Sequence, residues 1–279
     1  MEIPVYLINL KNREDRLLNS LNELRKVNLT DKVIRKEACD SIRAKKLAHQ
    51  FTTPKVKNNI EVNLKSTKIM PTWASLGCAI SHYECWKDMI NKNFNYSLIL
   101  EDDIEITDPD KFLFSINDSI RIINQRSYVY GEDISLFISL NSKISNNKTQ
   151  IKEDMYQFYN EFIGTSCYLI NNKCAKLLSE ILPFKYQLDI HIGRNISRLS
   201  YKHQSKYLAI YNSGISNKYF VSDVQYYFIE LLELQKLFNN LLPIEIIENI
   251  YIYLPHQKNF NNFYDNDNYN LYSYESLLF

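Results

Sequence analysis

Glycine is scarce, with five residues in 279. A glycine-rich phosphate cradle or a dinucleotide fingerprint needs several glycines clustered at one strand-to-helix turn, so both are excluded. A nucleotide diphosphate bound here would have to be neutralised by a cation and by basic side chains. Cysteine lacks pattern: Cys39, Cys78, Cys85, Cys167 and Cys174 are odd in number and form no C-x-x-C pair. That excludes a zinc or disulfide framework and reads as buried thiols in a reducing compartment. Excess charge is also missing, 33 basic side chains against 32 acidic, and no stretch is strongly basic, so electrostatics give no sign of a nucleic-acid partner. No apolar run approaches the roughly 18 residues of a membrane span. The opening MEIPVYLINL lacks the basic flank and small-residue cleavage site of a signal peptide, and the expected address is cytoplasmic.

What is present is an ordinary globular composition, 45% hydrophobic and 23% charged, enough to bury a sizeable core. The length suits one large α/β domain, or one of about 200 residues with an appendage. The most informative stretch is YSLILEDDIEI, Tyr96 to Ile106. Ser97-Leu98-Ile99-Leu100 has the makeup of a buried central strand, and it ends in three consecutive acids, Glu101, Asp102 and Asp103. Adjacent carboxylates repel one another, a divalent cation neutralises them, and hard oxygen donors favour Mn²⁺ or Mg²⁺ over zinc. Ligands of open α/β sheets bind at the carboxyl ends of strands, where such a cation would grip a diphosphate. The plainer alternative is an acidic turn in solvent.

Around this stretch the chain alternates strands and helices. Val5 to Leu10 reads as a strand, followed by a polar turn and an amphipathic helix carrying Leu17, Leu18, Leu21 and Leu24. Arg13 and Arg16 are three apart, so one helical turn would aim both at an anion, although a solvated basic turn explains them equally. Val33 to Ala38 is a second strand. Residues 42–70 are predicted as a helix and then a mobile loop, either a lid or an ordinary surface loop. Thr72 to Asn91 is a helix introduced by Pro71, with Ser81 and His82 inside it. Lys111 to Gln125 reads as a helix, Ile134 to Leu140 as a strand, Asn141 to Glu153 as a polar loop, and Phe162 to Ile170 as a strand. A helix over Asn172 to Leu182 follows. Leu188-Asp189-Ile190-His191 is read as extended, which puts Asp189 and His191 on one face as a metal ligand or general base. Tyr207 to Tyr211 is the last strand.

From about residue 221 the character changes, and two apolar-periodic helices, Val224 to Asn239 and Pro243 to Leu254, are expected. Leu242-Pro243-Ile244-Glu245 resembles the opening of an F-box helix, a partner-binding element found at the ends of proteins from large DNA viruses. These helices offer a surface for a protein partner or a dimer, or they pack on the parent domain. On that resemblance the chain would be virus-encoded and act in a host cell. The tail from Asn259 is rich in Asn, Asp and Tyr and is predicted to be partly disordered.

Taken in order, the segments resemble glycosyltransferase family 25, the lipooligosaccharide and procollagen galactosyltransferases. VYLINLKNREDR at 5–16 is similar to the family's opening strand and basic turn, and EACDS at 37–41 to its second block, with Ser41 where a glycine is usual. SLGCAISHYECW at 75–86 is similar to its G-C-x-x-S-H helix, YSLILEDDIEI to its metal motif, and GTSCYLINNKCAKLL at 164–178 with Leu188-Asp189 to its later blocks. Residues 42–70 and those past 220 fall outside.

The resemblance implies a GT-A-like, Rossmann-type α/β domain with a mixed, mainly parallel sheet over residues 1–220, followed by a helical extension over 221–279. It implies a metal-dependent, inverting transferase moving galactose or glucose from a UDP-sugar to a hydroxyl of a glycan or of a hydroxylysine-type acceptor. Glu101 and Asp103 would hold Mn²⁺ or Mg²⁺, with Asp102 beside them, and Asp189 would be the general base or a second metal ligand. Asn9, Leu10, Arg13 and Asp40 would line the uridine and ribose end. Ser81 and His82 would lie near the sugar or shape the pocket floor. Two other classes compete. One is an inactive transferase-like adaptor working through the C-terminal helices. The other is a metal-dependent phosphoesterase, disfavoured by the lack of further clustered His and Asp.

Overall fold

The computed structural model describes residues 3–62, 69–130, 135–141, 143–144, 148–158, 162–200 and 206–217. The chain runs β1 (Val5–Asn9), α1 (Glu14–Arg25), β2 (Val33–Glu37), α2 (Ser41–Phe51), α3 (Pro54–Val62), α4 (Trp73–Asn91), β3 (Tyr96–Glu101) and β4 (Ile104–Ile106). It continues with α5 (Pro109–Tyr130), β5 (Ser135–Ser139), β6 (Lys143–Ile144), β7 (Lys148–Lys152), β8 (Met155–Phe158), β9 (Phe162–Ile163) and β10 (Cys167–Asn171). Then come α6 (Asn172–Ser179), α7 (Leu188–Ser200), β11 (Lys206–Tyr211) and β12 (Ile215–Asn217).

Eight strands form one sheet in the order β2-β1-β3-β10-β5-β11-β8-β7. β1 is parallel to β2 and β3, and β5 is parallel to β11, whereas β10 is antiparallel to both β3 and β5. With β8 antiparallel to β11 and to β7, six of the eight strands point along β1. The sheet is therefore mixed and mainly parallel in strand direction, as expected.

Period-two alternation sends neighbouring residues to opposite faces. Tyr6, Ile8, Ile99, Phe137 and Tyr168 pack with α2, α3, α4, α6 and the start of α7. Val5, Leu7, Leu98, Leu100 and Ile138 pack with residues of α1 and α5. Helices on both faces explain why β1, β3, β5 and β10 read as unbroken apolar runs.

Several expectations are corrected. The stretch 42–70, expected as one helix and then a loop, contains a second helix, α3, which buries Val56 and Ile60 one turn apart and starts from Thr53, whose hydroxyl accepts the Val56 N–H at 3.3 Å. Residues 63–68 lie outside the described chain. The polar stretch at 141–153 holds β6 and β7, and β7 pairs with β8. The strand expected at 162–170 is broken into β9 and β10 by Gly164, whose φ of 100° is open to glycine at little cost. Asp189 and His191 lie in a helix, not an extended segment. The helices expected at 224–239 and 243–254, with the F-box-like opening and the tail, lie outside the described residues. Among those that are described, no helix is long and apolar enough to cross a membrane.

Candidate active site

β3 ends at Glu101, and Asp102 and Asp103 form the turn into β4, at the carboxyl ends of the adjacent parallel strands β1 and β3. All three acids are withdrawn from solvent: Asp102 is 7% exposed, Asp103 2%, and the Glu101 side chain 23%. The alternative of a solvated acidic turn is therefore overturned.

The acids do different work. Asp102 Oδ2 accepts the Asn9 amide at 2.6 Å, and Oδ1 lies 3.3 Å from the Arg16 guanidinium. Its carbonyl accepts the Ser20 hydroxyl at 3.0 Å. Asp102 thus locks the acidic turn to β1 and α1. Asn9 also donates to the Arg13 carbonyl and accepts from Arg35, so its amide is committed to this corner. The expectation that Arg13 and Arg16 aim together at one anion is corrected. Arg13 precedes the first turn of α1 and pairs with Asp15 at 3.1 Å, whereas Arg16, inside the helix, turns inward to Asp102. Leu10, half-buried at the end of β1, accepts the Arg13 N–H through its carbonyl at 3.0 Å.

Glu101 Oε1 accepts the Thr165 hydroxyl at 3.0 Å and lies 3.3 Å from His82 Nε2. Burial pushes its carboxyl up, while the hydrogen bonds from His82 and Thr165 and the charge of Arg16 pull it down, and the net shift is below the usual glutamate range. Both of these side-chain contacts fall on Oε1, which leaves Oε2 for a ligand. Asp103 is deeper, and its charge, with those of Glu101 and Asp189, reaches the Cys78 thiol. Burial first, and those three acids second, push that thiol well above its ordinary value.

Asp189 is in the first turn of α7, where a helix N-terminus favours negative charge. Its Oδ2 accepts the Gly164 N–H at 2.9 Å and its Oδ1 the Ile190 N–H at 2.7 Å. Burial raises its pKa, the two backbone N–H groups oppose that, and Glu101's charge adds to the rise, so the net shift is upward. His191, two residues on in a helix, points away from Asp189. Its Nε2 meets the Ile181 carbonyl at 2.8 Å and its Nδ1 faces the Lys185 N–H at 3.4 Å. It fastens the turn before α7 and is no partner of Asp189, correcting the expectation of a shared face.

Asp40 and Ser81 act on the neighbouring turn. Asp40 caps α2, accepting the Arg43 N–H at 2.7 Å. Ser81 accepts the Cys39 N–H at 2.8 Å and donates to the Gly77 carbonyl at 2.7 Å, tying α4 to the end of β2. Residue-by-residue reading missed Thr165, Gly164 and Cys78. The last was recoverable, since Cys78 and His82 are one helical turn apart on α4. Thr165 and Gly164 owe their place to the strand break, which the glycine inside the apolar run 162–170 marks.

Three chain segments distant in sequence, the β3–β4 turn, the 164–166 loop and the start of α7, therefore deliver buried acids and their donors to one edge of the sheet. The sequence profile of glycosyltransferase family 25 (LPS biosynthesis protein) matches residues 2–192. Procollagen galactosyltransferase 1-B of Xenopus laevis is 29% identical over 111 residues, covering 36% of this chain and 16% of that protein. Procollagen galactosyltransferase 2 of Homo sapiens is 26% identical over 111 residues, covering 36% and 15%. The match thus spans about a sixth of the length of these relatives. Among solved structures, apo UDP-glucose pyrophosphorylase is similar at 11% identity and a TM-score of 0.35, over 75% of this chain and 90% of that one. Mannose-1-phosphate geranyltransferase from Thermus thermophilus is similar at 9% identity and a TM-score of 0.38, over 77% and 75%. The family profile runs through every residue of the acidic cluster, from Asn9 on β1 to Asp189 on α7, and the chain belongs to glycosyltransferase family 25.

Proposed function

We propose that the chain is a glycosyltransferase that moves a hexose, galactose or glucose, from a UDP-sugar to a hydroxyl of a glycan or of a hydroxylysine-type acceptor, with inversion and with Mn²⁺ or Mg²⁺ as cofactor. The observation that carries this reading is the convergence of Glu101, Asp103 and Asp189 within a chain of this family. The galactose donor and protein acceptor are supported by the names of the procollagen galactosyltransferases alone.

The donor set fits a hard divalent cation, because the buried carboxylate of Asp103 and the partly buried one of Glu101 offer oxygen ligands and concentrate negative charge. Glu101 and Asp103 would hold the ion, which when bound supplies positive charge against the departing diphosphate. Asp102 would act through position, its bonds to Asn9 and Arg16 setting the turn that carries the other two acids. Leu10, Arg13 and Asp40 border the carboxyl ends of β1 and β2, where uridine and ribose would lie. Asp189 would take the proton of the acceptor hydroxyl as its oxygen bonds to the anomeric carbon and the sugar–phosphate bond breaks, its electron pair leaving with UDP. A raised pKa makes Asp189 a stronger base than an exposed aspartate.

Thermal unfolding tests the binding half. UDP and Mn²⁺ together should stabilise the protein, by about 2.7 kcal/mol at one hundred times the dissociation constant. Asp103→Ala should abolish that shift while the apo protein stays folded. Persistence of the full shift in the variant would overturn the metal assignment. Mn²⁺-dependent hydrolysis across a panel of UDP-sugars identifies the donor.

A further inference from the structure

Behind Glu101 stand three side chains that carry no charge to the site and touch one another in a row. Trp86, Tyr168 and His82 are each 0% exposed. The Trp86 indole Nε1 lies 2.9 Å from the Tyr168 hydroxyl, that hydroxyl 2.8 Å from His82 Nδ1, and His82 Nε2 3.3 Å from Glu101 Oε1. The His82 and Tyr168 rings stack with centroids 5.5 Å apart, which fixes the imidazole plane.

The donor inventory gives this row a direction. An indole N–H can only donate, so the Tyr168 oxygen accepts from Trp86. The hydroxyl's own hydrogen then has, among the described residues, one acceptor, Nδ1 of His82. Nδ1 therefore carries no hydrogen, and the ring hydrogen sits on Nε2, facing the Glu101 carboxylate. An imidazolium, or the tautomer protonated at Nδ1, would present Tyr168 with two donors and strand its hydroxyl hydrogen in a buried place. A protonated Glu101 donating to Nε2 meets the same obstacle.

We propose that Trp86, Tyr168 and His82 form a one-way hydrogen-bond relay that holds His82 as the Nε2–H tautomer and positions Glu101 for its cation. The role at the cation rests on the metal-dependent reading above. Oε1 is occupied by His82 and Thr165, and Oε2 is kept for the metal. A second consequence concerns ligand identity. Cys78, His82 and Glu101 offer ligand atoms within 4.8 Å of one another, a set that taken alone suits a softer ion such as zinc. The relay opposes that use, because Nε2 cannot ligate while it bears a hydrogen. His82, Tyr168 and Trp86 are positioning residues, acting through Glu101 as partners behind a metal ligand do.

The test is made on the full chain. Ring ¹⁵N NMR of the protein without metal or nucleotide should show His82 protonated at Nε2 and bare at Nδ1. Finding the opposite tautomer or an imidazolium overturns the relay without recourse to any variant. Tyr168→Phe removes only the hydroxyl; it should release His82 to a mixture of tautomers and weaken Mn²⁺ binding, read by water proton relaxation, by about 10-fold to 100-fold. Unchanged tautomer and affinity in this variant overturn the proposal. If Tyr168→Phe does not fold, Trp86→Phe removes the first donor and is judged by the same two readouts. His82→Gln keeps an N–H for Glu101 and should retain most of the affinity that His82→Leu loses, whereas equal losses count against positioning. Wild-type protein with the assigned tautomer but no Mn²⁺ binding would sink the metal reading and, with it, the positioning role, leaving only the fixed tautomer.

Discussion

Arg16 and Asp102 meet at 3.3 Å with side chains 7% and 10% exposed, so two opposite charges are held together largely out of water. Breaking such a pair from one side leaves a buried charge uncompensated, and Arg16→Ala should lower stability by about 3–5 kcal/mol in urea unfolding. A loss near that of a surface substitution would show that water reaches the pair. At Asp189 the prediction concerns pH. Its folded pKa is raised, so between the unfolded and folded values the native state holds more protons than the unfolded state, and stability falls as pH rises through that window. Asp189→Asn should flatten that slope. The same shift moves the acidic limb of kcat/KM to a higher pH than an ordinary aspartate gives, because the base must be ionised. An acidic limb at the ordinary aspartate value would remove Asp189 from the role of base.

Among the elements, α4 matters most, since it supplies Cys78, Ser81, His82 and Trp86. Its closeness to the end of β2 depends on Gly77, where an added Cβ would lie 2.2 Å from the Cys39 carbonyl oxygen. Gly77→Ala must push the helix from the turn that Ser81 fastens, and should cost about 1–3 kcal/mol by thermal unfolding, with a loss of donor turnover as His82 shifts. Full activity in a destabilised Gly77→Ala would show that the helix position does not govern Glu101. Helix α4 was legible because Pro71 and Thr72 mark its start and its apolar spacing is regular. Helix α3 was harder, since lysines and asparagines surround Val56 and Ile60, although Thr53-Pro54 is a start signal. Helix α7 was misread because four residues, LDIH, suit either an extended or a helical face.

At the scale of the whole molecule, the mixed sheet with helices on both faces sets the candidate site at the carboxyl ends of β1 and β3, with β10 reversed beside them. Every residue of that cluster lies before position 192, so residues 1–220 alone should retain the UDP–Mn²⁺ stabilisation. Loss of binding on removing 221–279 from a folded protein would show that the extension completes the site.

The sequence by itself determined strands β1, β2, β3, β5 and β11, most helices and the acidic exit of β3, because period and composition act over a few residues. It also carried the family, because ordered motifs survive where overall identity is low. Only tertiary structure decided which acid does what: Asp102 is met by Asn9, 93 positions away, and Glu101 by His82 and Thr165, 19 and 64 positions away. Local pattern says that a carboxylate is present, and its partners, which set its charge and orientation, are chosen by how the sheet brings distant segments together.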